Sequence, residues 1–166
     1  MTSVDLFSGI GGFALAAHAN GIKTLCFVEK DKRCRDFLSK TWPGVNQYDD
    51  IKTFPAEKYI GAEFVFAGPP CQPISCAGRQ RGDKDERWLW GETLAAVKTI
   101  MPRWCLFENP PPIRTMGLDG ILSEMENNHY ACGTVSIPAC AVGAPHRRER
   151  YWIVCRNMAE DRKSVV

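Results

Sequence analysis

Short apolar runs alternate along the chain with longer stretches in which apolar residues recur every three or four positions. The short runs predict β-strands, and the longer stretches predict amphipathic helices. Strands are predicted at residues 3–7, 24–29, 45–51, 63–68, 103–109, 131–137 and 150–156. Helices are predicted at residues 13–20, 31–42, 90–101 and 118–128. This alternation predicts an α/β fold, with a mainly parallel seven-stranded sheet and helices on both faces.

The carboxyl ends of five successive predicted strands carry residues with special chemistry. In sheets of this kind, ligands bind just outside those ends. The residues are Gly9, Gly11 and Gly12 after the first strand, Glu29, Asp49 and Asp50, the segment 68–73, and Glu108 with Asn109. Their concentration at one edge predicts a ligand site there.

The glycine-rich turn has the spacing of a nucleotide-binding loop. Glu29 follows Gly9 by 20 positions, which is typical of the acid that binds ribose hydroxyls in dinucleotide-binding folds. However, Ala14 stands where a third spaced glycine is usual. Taken alone, the pattern fits a tight turn without a ligand equally well. The pattern also does not distinguish a nicotinamide cofactor from S-adenosylmethionine.

Composition narrows the remaining classes. A chain of 166 residues with a net charge of +2 fits one globular domain. That charge is too small to indicate nucleic-acid binding by itself. The sequence shows neither a run long enough to cross a bilayer nor a secretion signal at its start, so a cytoplasmic location without a membrane partner is predicted.

The eight cysteines form no Cys-x-x-Cys pair, and the three histidines show no metal-ligand spacing, so no metal site is predicted. Cys26, Cys105 and Cys155 lie in apolar runs and are expected to pack as small hydrophobic residues. In a reducing cytosol, disulfides are not expected. Cys71 differs because it lies in a loop stiffened by prolines 69, 70 and 73.

Four segments resemble motifs of the cytosine-C5 DNA methyltransferase family, and they occur in the family's order. They are DLFSGIGGF (5–13), GPPCQPIS (68–75), FENP (107–110) and GAPHRRERYWIV (143–154). The resemblance implies a Rossmann-like, S-adenosylmethionine-dependent catalytic domain over residues 1–156, followed by a short tail at 157–166. It also implies DNA as the partner and methyl transfer to carbon 5 of cytosine as the activity.

The resemblance assigns the catalytic roles. Cys71 is implied as the thiolate that adds to carbon 6 of the base, since thiolate is the reactive form. Glu108, followed by Asn109, is implied to contact the N3 and amino edge of the base. Arg148 and Arg150 occupy alternate positions at a strand start and are expected to point the same way. By resemblance, they hold the cytosine carbonyl and the nucleophile loop, around a base flipped out of the duplex.

The resemblance also assigns cofactor contacts. Phe7 is implied to pack on the adenine, with Gly9 and Gly12 beside the methionine part and Glu29 on the ribose. Further contacts are implied for Asp50, Ile51, Pro70 and Leu89.

Each assignment has a simpler structural alternative. Phe7 fits an ordinary core residue, and Glu29 fits a solvated strand end. Arg148 and Arg150 fit a solvated basic run or plain phosphate contacts. Asn109 fits a turn cap. Cys71 itself fits a structural loop thiol.

The sequence also departs from the family pattern. Pro110 replaces the usual valine after Glu-Asn, and only 16 residues follow Arg150, where the family has a target-recognition region and two further motifs. Three interpretations therefore remain: a methyltransferase, active alone or with a second chain that supplies recognition; a remnant that binds cofactor or DNA without chemistry; and a nicotinamide oxidoreductase. The motifs favour the first.

Overall fold

The computed structural model describes residues 1–70 and 88–159. Its strands are β1 (Thr2–Leu6), β2 (Lys23–Val28), β3 (Asn46–Tyr48), β4 (Phe64–Ala67), β5 (Trp104–Asn109), β6 (Tyr130–Pro138) and β7 (Glu149–Asn157). They form one sheet in the order β3-β2-β1-β4-β5-β7-β6. The first five strands run parallel, and β7 runs antiparallel to both β5 and β6. The predicted α/β fold is thereby confirmed.

The helices among the described residues are α1 (Gly12–Ala19), α2 (Lys32–Thr41), α3 (Trp90–Ile100), α4 (Ile113–Met116) and α5 (Leu118–Asn127). The longer four match the predicted helices closely, and Asp31 caps α2 by accepting the Arg33 N–H at 2.7 Å. The predicted third strand is shorter than expected. It ends at Tyr48 because Asp50 caps a 3-10 turn over Ile51–Thr53.

The sheet is packed unequally on its two faces. On one face, a large core with α3 and α5 includes the fully buried residues Val4, Leu6, Val65, Phe107 and Ile153. On the other face, the buried cluster is small, consisting of Ala14 from α1, Leu38 from α2 and Phe27 from β2. Helices α1 and α2 therefore cover only the β1–β2 side of that second face.

The rest of the second face is open among the described residues. The register of β5, β6 and β7 shows which side chains lie on this face, because directly opposite residues point to the same side of a sheet. Val135 is 47% exposed and Val154 is 37% exposed, although the solvent-facing side of antiparallel strands normally carries polar residues. We call this the open sheet face, formed by Trp104, Leu106, Val135, Ile137, Trp152 and Val154.

The turn between β1 and α1 uses left-handed backbone. Phe7, Gly9 and Gly11 have φ angles of 56°, 54° and 85°. A Cβ added to Gly11 would lie 2.9 Å from Leu38 Cδ2 and 3.2 Å from Trp42 Nε1. Glycine at this position therefore allows both the turn and the close approach of α1 to α2.

Asp5 lies beneath this turn and is fully buried. Neither of its carboxylate oxygens completes a hydrogen bond with the described residues. Burial raises the pKa of Asp5 well above its ordinary value; the nearby Ala14 N–H opposes the shift and the charge of Glu29 adds to it. A buried carboxyl group of this kind is more easily kept neutral than charged.

Within residues 1–70 and 88–159, the helices are too short or too polar to cross a membrane.

Gly11→Ala should destabilise the protein, whereas Gly12→Ala should not. The left-handed backbone at Gly11 costs a residue with a Cβ about 1–2 kcal/mol, and overpacking against Leu38 adds about 1–3 kcal/mol. Gly12 has open space around its Cβ position and begins α1, so it is the matched control. Urea unfolding of both variants measures the difference, and equal midpoints would contradict the packing described.

Asp5→Asn should change how stability depends on pH. Because folding raises the pKa of Asp5, the wild type loses stability as pH rises from the unfolded-state pKa, about 4, towards the folded-state pKa. The loss amounts to as much as about 1.4 kcal/mol per pH unit. The Asn variant lacks this loss, so its stability relative to wild type should rise with pH in denaturant titrations.

Asp36→Asn is the control for that experiment. Its hydrogen bond to Lys32 lowers the pKa of Asp36 at an exposed site, so the Asp36 contribution is present above the unfolded-state pKa and is lost as pH falls. Parallel pH curves for Asp5→Asn and wild type would show that Asp5 is ionised in the folded protein.

Candidate active site

A cavity of about 450 Å³ opens at the carboxyl ends of β1, β2 and β4. Its wall contains six of the residues predicted from the sequence to bind a cofactor: Phe7, Glu29, Asp50, Ile51, Pro70 and Leu89. These residues come from five separate segments of the chain. The fold thus brings them together at the edge of the sheet where the sequence predicted a ligand site.

Glu29 is fixed in place by backbone N–H groups on both sides. Its Oε2 accepts the Gly9 N–H at 2.7 Å, and its Oε1 accepts the Asp31 N–H at 2.8 Å. The carboxylate therefore links the β1–α1 turn to the start of α2. Because each carboxylate oxygen has two lone-pair positions, Glu29 can still accept hydrogen bonds from a ligand.

The wall near the end of β3 combines acidic and apolar groups. Asp50 Oδ1 accepts the Lys52 N–H at 2.9 Å, which holds the 3-10 turn and directs Ile51 into the core at 8% exposure. Phe7 is partly buried and packs against the large core while also lining the cavity. The structural alternative for Phe7 is therefore compatible with a binding role.

The two predicted glycines, Gly9 and Gly12, do not line the cavity. Gly9 contributes through its N–H to Glu29. Gly12 is the first residue of α1, and a Cβ at either position would meet open space. The structure thus leaves room for a ligand group to approach the backbone at this turn.

A second polar group lies across Gly68 from the cavity. Glu108 Oε1 forms an ion pair of 2.5 Å with Arg150 Nε, and both side chains are about three-quarters buried, at 26% and 22% exposure. A Cβ on Gly68 would lie 3.6 Å from Glu108 Oε2. Because Gly68 also lines the cavity, only one residue without a side chain separates the two sites.

The structure differs from the sequence prediction at Arg148. Strand β7 begins at Glu149, so Arg148 precedes it, with φ of 20° and an exposed side chain. The two arginines therefore do not share a regular strand alternation. Arg150 reaches Glu108, whereas Arg148 is exposed at the turn before the strand.

Asn109 is fully buried beside Glu108 at the end of β5. Neither polar atom of its side-chain amide has a hydrogen-bond partner among the described residues. An unpaired buried polar group costs about 1–3 kcal/mol. The donor and the acceptor of this amide are therefore available to a partner other than the described residues.

Cys71, predicted as the nucleophile, lies outside the described residues, as does Cys76. The structure reaches Pro70, which lines the cavity immediately before Cys71 in the sequence.

Sequence reasoning did not assign several residues that the structure brings to this edge. Lys30 and Lys52 line the cavity and add positive charge to a wall that also contains Glu29 and Asp50. Gly68 was predicted only as part of the strand-end segment 68–73 and was given no individual role. Its position after a predicted central strand signalled a place at the ligand edge, but its closeness to Glu108 could not be predicted from the sequence.

Comparison with known proteins gives the same family over the whole fold. The model of the C-5 cytosine-specific DNA methylase family matches residues 1–164. The type II methyltransferase M2.BsuMI of Bacillus subtilis is 33% identical over the full chain, which spans 44% of that relative. The type II methyltransferase M.AquIA of Picosynechococcus is 30% identical over 91% of the chain, which spans 70% of that relative.

Solved structures show the same fold. A protein described as a DNA modification methyltransferase encoded within an Escherichia coli prophage superimposes with a TM-score of 0.82 at 25% identity, covering 97% of this chain and 48% of its own. The Dnmt2 methyltransferase of S. pombe superimposes with a TM-score of 0.79 at 18% identity, covering 95% of this chain and 51% of its own. The family model covers the residues that form the cavity and the Glu108–Arg150 pair. The chain therefore belongs to the C-5 cytosine-specific DNA methylase family.

Proposed function

We propose that this chain forms the catalytic part of a DNA (cytosine-5-)-methyltransferase that uses S-adenosylmethionine. The observation that carries the proposal is the position of Gly68, which lines the cavity on one side and faces Glu108 on the other. A methyl donor in the cavity and a base held by Glu108 would thus be neighbours. Family membership supports this function over a nicotinamide oxidoreductase.

The cavity residues fit S-adenosylmethionine. Its volume of about 450 Å³ lies within the usual range for small-molecule sites. The ring of Phe7 and the side chains of Ile51 and Leu89 offer apolar surface to an adenine, and Glu29 offers acceptors to ribose hydroxyls. When bound, S-adenosylmethionine supplies an electrophilic methyl group.

The chemistry on the base falls to Cys71 and Glu108. Carbon 5 of cytosine is a poor nucleophile until a thiolate adds to carbon 6, and Cys71 is the residue proposed for that step. Glu108 would bind the N3 and amino edge through Oε2, the oxygen that faces Gly68. Arg150 holds Oε1 and so fixes the orientation of the carboxylate. Asn109 and Arg148 are proposed as further parts of the base site.

DNA is the proposed substrate, with the reacting cytosine flipped out of the duplex. The exposed Arg147 and Arg148 precede β7, at the same end of the sheet as Glu108 and Arg150. Cations at that place suit contacts with phosphates, which contribute affinity but little sequence preference.

A second chain is the proposed source of target recognition, and the open sheet face supports this candidate. Its exposed apolar residues lie on antiparallel strands, whose solvated face normally carries polar side chains. The chain spans less than half of M2.BsuMI, so the relative has additional polypeptide. We propose that an amphipathic helix of a partner polypeptide covers this face.

Glu29→Ala should weaken S-adenosylmethionine binding measured by calorimetry. Hydrogen bonds to a charged group contribute about 1.5–3 kcal/mol, and the turn at Gly9 also loses its acceptor. Glu57→Ala, which removes an exposed acid away from the cavity, is the matched control. Equal affinities for Glu29→Ala and wild type would remove Glu29 from the cofactor site.

Cys71→Ser should abolish covalent trapping on DNA that contains 5-fluorocytosine, assayed with S-adenosylmethionine present. Fluorine at carbon 5 cannot leave as a cation, so the protein–DNA adduct persists in the wild type and can be mapped by mass spectrometry. A serine hydroxyl is far less ionised at neutral pH. Cys76→Ser should still be trapped and serves as the matched control.

The trapping experiment also separates the alternatives. An adduct on another cysteine would refute Cys71 as the nucleophile. If the chain alone gives no adduct but gives one when the C-terminal half of a relative is added as a separate polypeptide, the partner-dependent function is supported. No adduct under either condition would favour a remnant that binds without chemistry.

A further inference from the structure

Two cysteines outside the candidate active site face each other across neighbouring strands. Cys132 on β6 and Cys155 on β7 are direct partners in the antiparallel register. Their sulfur atoms are 3.0 Å apart, and the Cys132 thiol donates a hydrogen bond to Cys155 Sγ. Both cysteines are free in this structure.

The strand register at this pair is compatible with a disulfide. Directly opposite residues of an antiparallel pair have Cα atoms about 4.5–5.5 Å apart. Disulfides form between Cα atoms about 4.4–6.8 Å apart. The sulfurs need to approach by only about 1 Å to reach the bond length of about 2.05 Å, so rotation of the side chains is sufficient.

We propose that Cys132 and Cys155 form a redox-active pair, which hydroperoxides oxidise to an intrachain disulfide. The two thiols differ in the way such a pair requires. Cys132 is partly exposed on the edge strand of the sheet, whereas Cys155 is fully buried on the strand next to it. The oxidant therefore reaches Cys132, and Cys155 is placed to resolve the product.

The pKa shifts of the two thiols also favour Cys132 as the residue that reacts first. The hydrogen bond with Cys155 lowers the pKa of Cys132, and this effect outweighs burial and the charge of Glu126. The pKa of Cys155 is raised by the neighbouring Cys132 and by burial. Once Cys132 is ionised, the Cys155 S–H becomes the donor to the Cys132 thiolate.

The proposed reaction balances with hydrogen peroxide as the oxidant. The Cys132 thiolate attacks one peroxide oxygen, the O–O bond breaks, and the released hydroxide takes a proton, leaving a sulfenic acid on Cys132. The Cys155 sulfur then attacks Cys132 Sγ, the S–O bond breaks, and the Cys155 proton leaves with the oxygen as water. Two thiols and one peroxide thus give one disulfide and two waters.

The disulfide would close the hairpin formed by β6 and β7 near its base. The strands pair from Tyr130 with Asn157 to Pro138 with Glu149, and the connection between them carries Arg148, just before Arg150. A covalent bond at this position restricts the unfolded chain more than the folded one. Oxidation should therefore stabilise the hairpin that presents both arginines.

Peptide mapping tests the proposal on the full chain. The protein is treated with hydrogen peroxide, blocked with iodoacetamide, digested with trypsin without reduction and analysed by mass spectrometry. We expect peptide 115–147 joined to peptide 151–156, lost on addition of dithiothreitol. The midpoint of thermal unfolding should be several degrees higher for oxidised than for reduced wild type.

Three variants locate the bond. Cys132→Ser and Cys155→Ser should lose both the joined peptides and the thermal shift. Cys140→Ser should keep both; it is the matched control because Cys140 is exposed and lies in the same tryptic peptide as Cys132. Loss of the joined peptides in Cys140→Ser, a bond from Cys155 to Cys105, or oxidation elsewhere without these joined peptides would each overturn the proposal.

Discussion

One carboxylate joins the ends of two neighbouring strands, and the shape of the cavity depends on it. Glu29 receives the Gly9 N–H on one oxygen and the Asp31 N–H on the other. The first contact holds a turn whose backbone is left-handed at Phe7 and Gly9, and the second holds the start of α2. The ring of Phe7 lines the cavity because this turn is held in that conformation. The same group that is proposed to bind a ribose therefore also builds the wall around it.

The sequence predicted the elements well because their signals are local. The alternation of apolar runs with helical periodicity depends on a few neighbouring residues, and the strands and longer helices lie close to their predicted places. Residues far apart in sequence determine the antiparallel direction of β7 and form the Glu108–Arg150 ion pair. Local periodicity therefore could not predict either feature. Asp5 was not identified as a buried carboxyl group because a strand residue's burial depends on the helix packed above it. Strand β3 ends earlier than predicted because Asp50 caps a 3-10 turn. In the sequence, residues 49–51 had been predicted to continue the strand.

The two faces of the sheet are buried to different extents. The face under α3 and α5 holds most of the buried apolar side chains, whereas the opposite face is buried only below α1 and α2. Phe13 marks the limit of that cover, with its ring stacked on Phe66 at 5.3 Å and edge-on to Trp152 at 5.9 Å. A surface that ends in aromatic contacts and continues as exposed valines is suited to further packing. Strand β7 carries both Trp152 and Val154 of this face and Arg150, which pairs with Glu108.

The cavity and the proposed base site at Glu108 lie on either side of Gly68, a residue without a side chain. Gly68 lines the cavity, and its missing Cβ would lie 3.6 Å from Glu108 Oε2. A larger side chain there would extend towards Glu108. Group transfer requires the reacting atoms to be held within about 3–3.5 Å of each other, so a wall of bare backbone is the arrangement that permits it. Pro70 follows two residues later and restricts the same backbone. The segment that leads to Cys71 is thus both thin and stiff where the methyl donor and the base are proposed to meet.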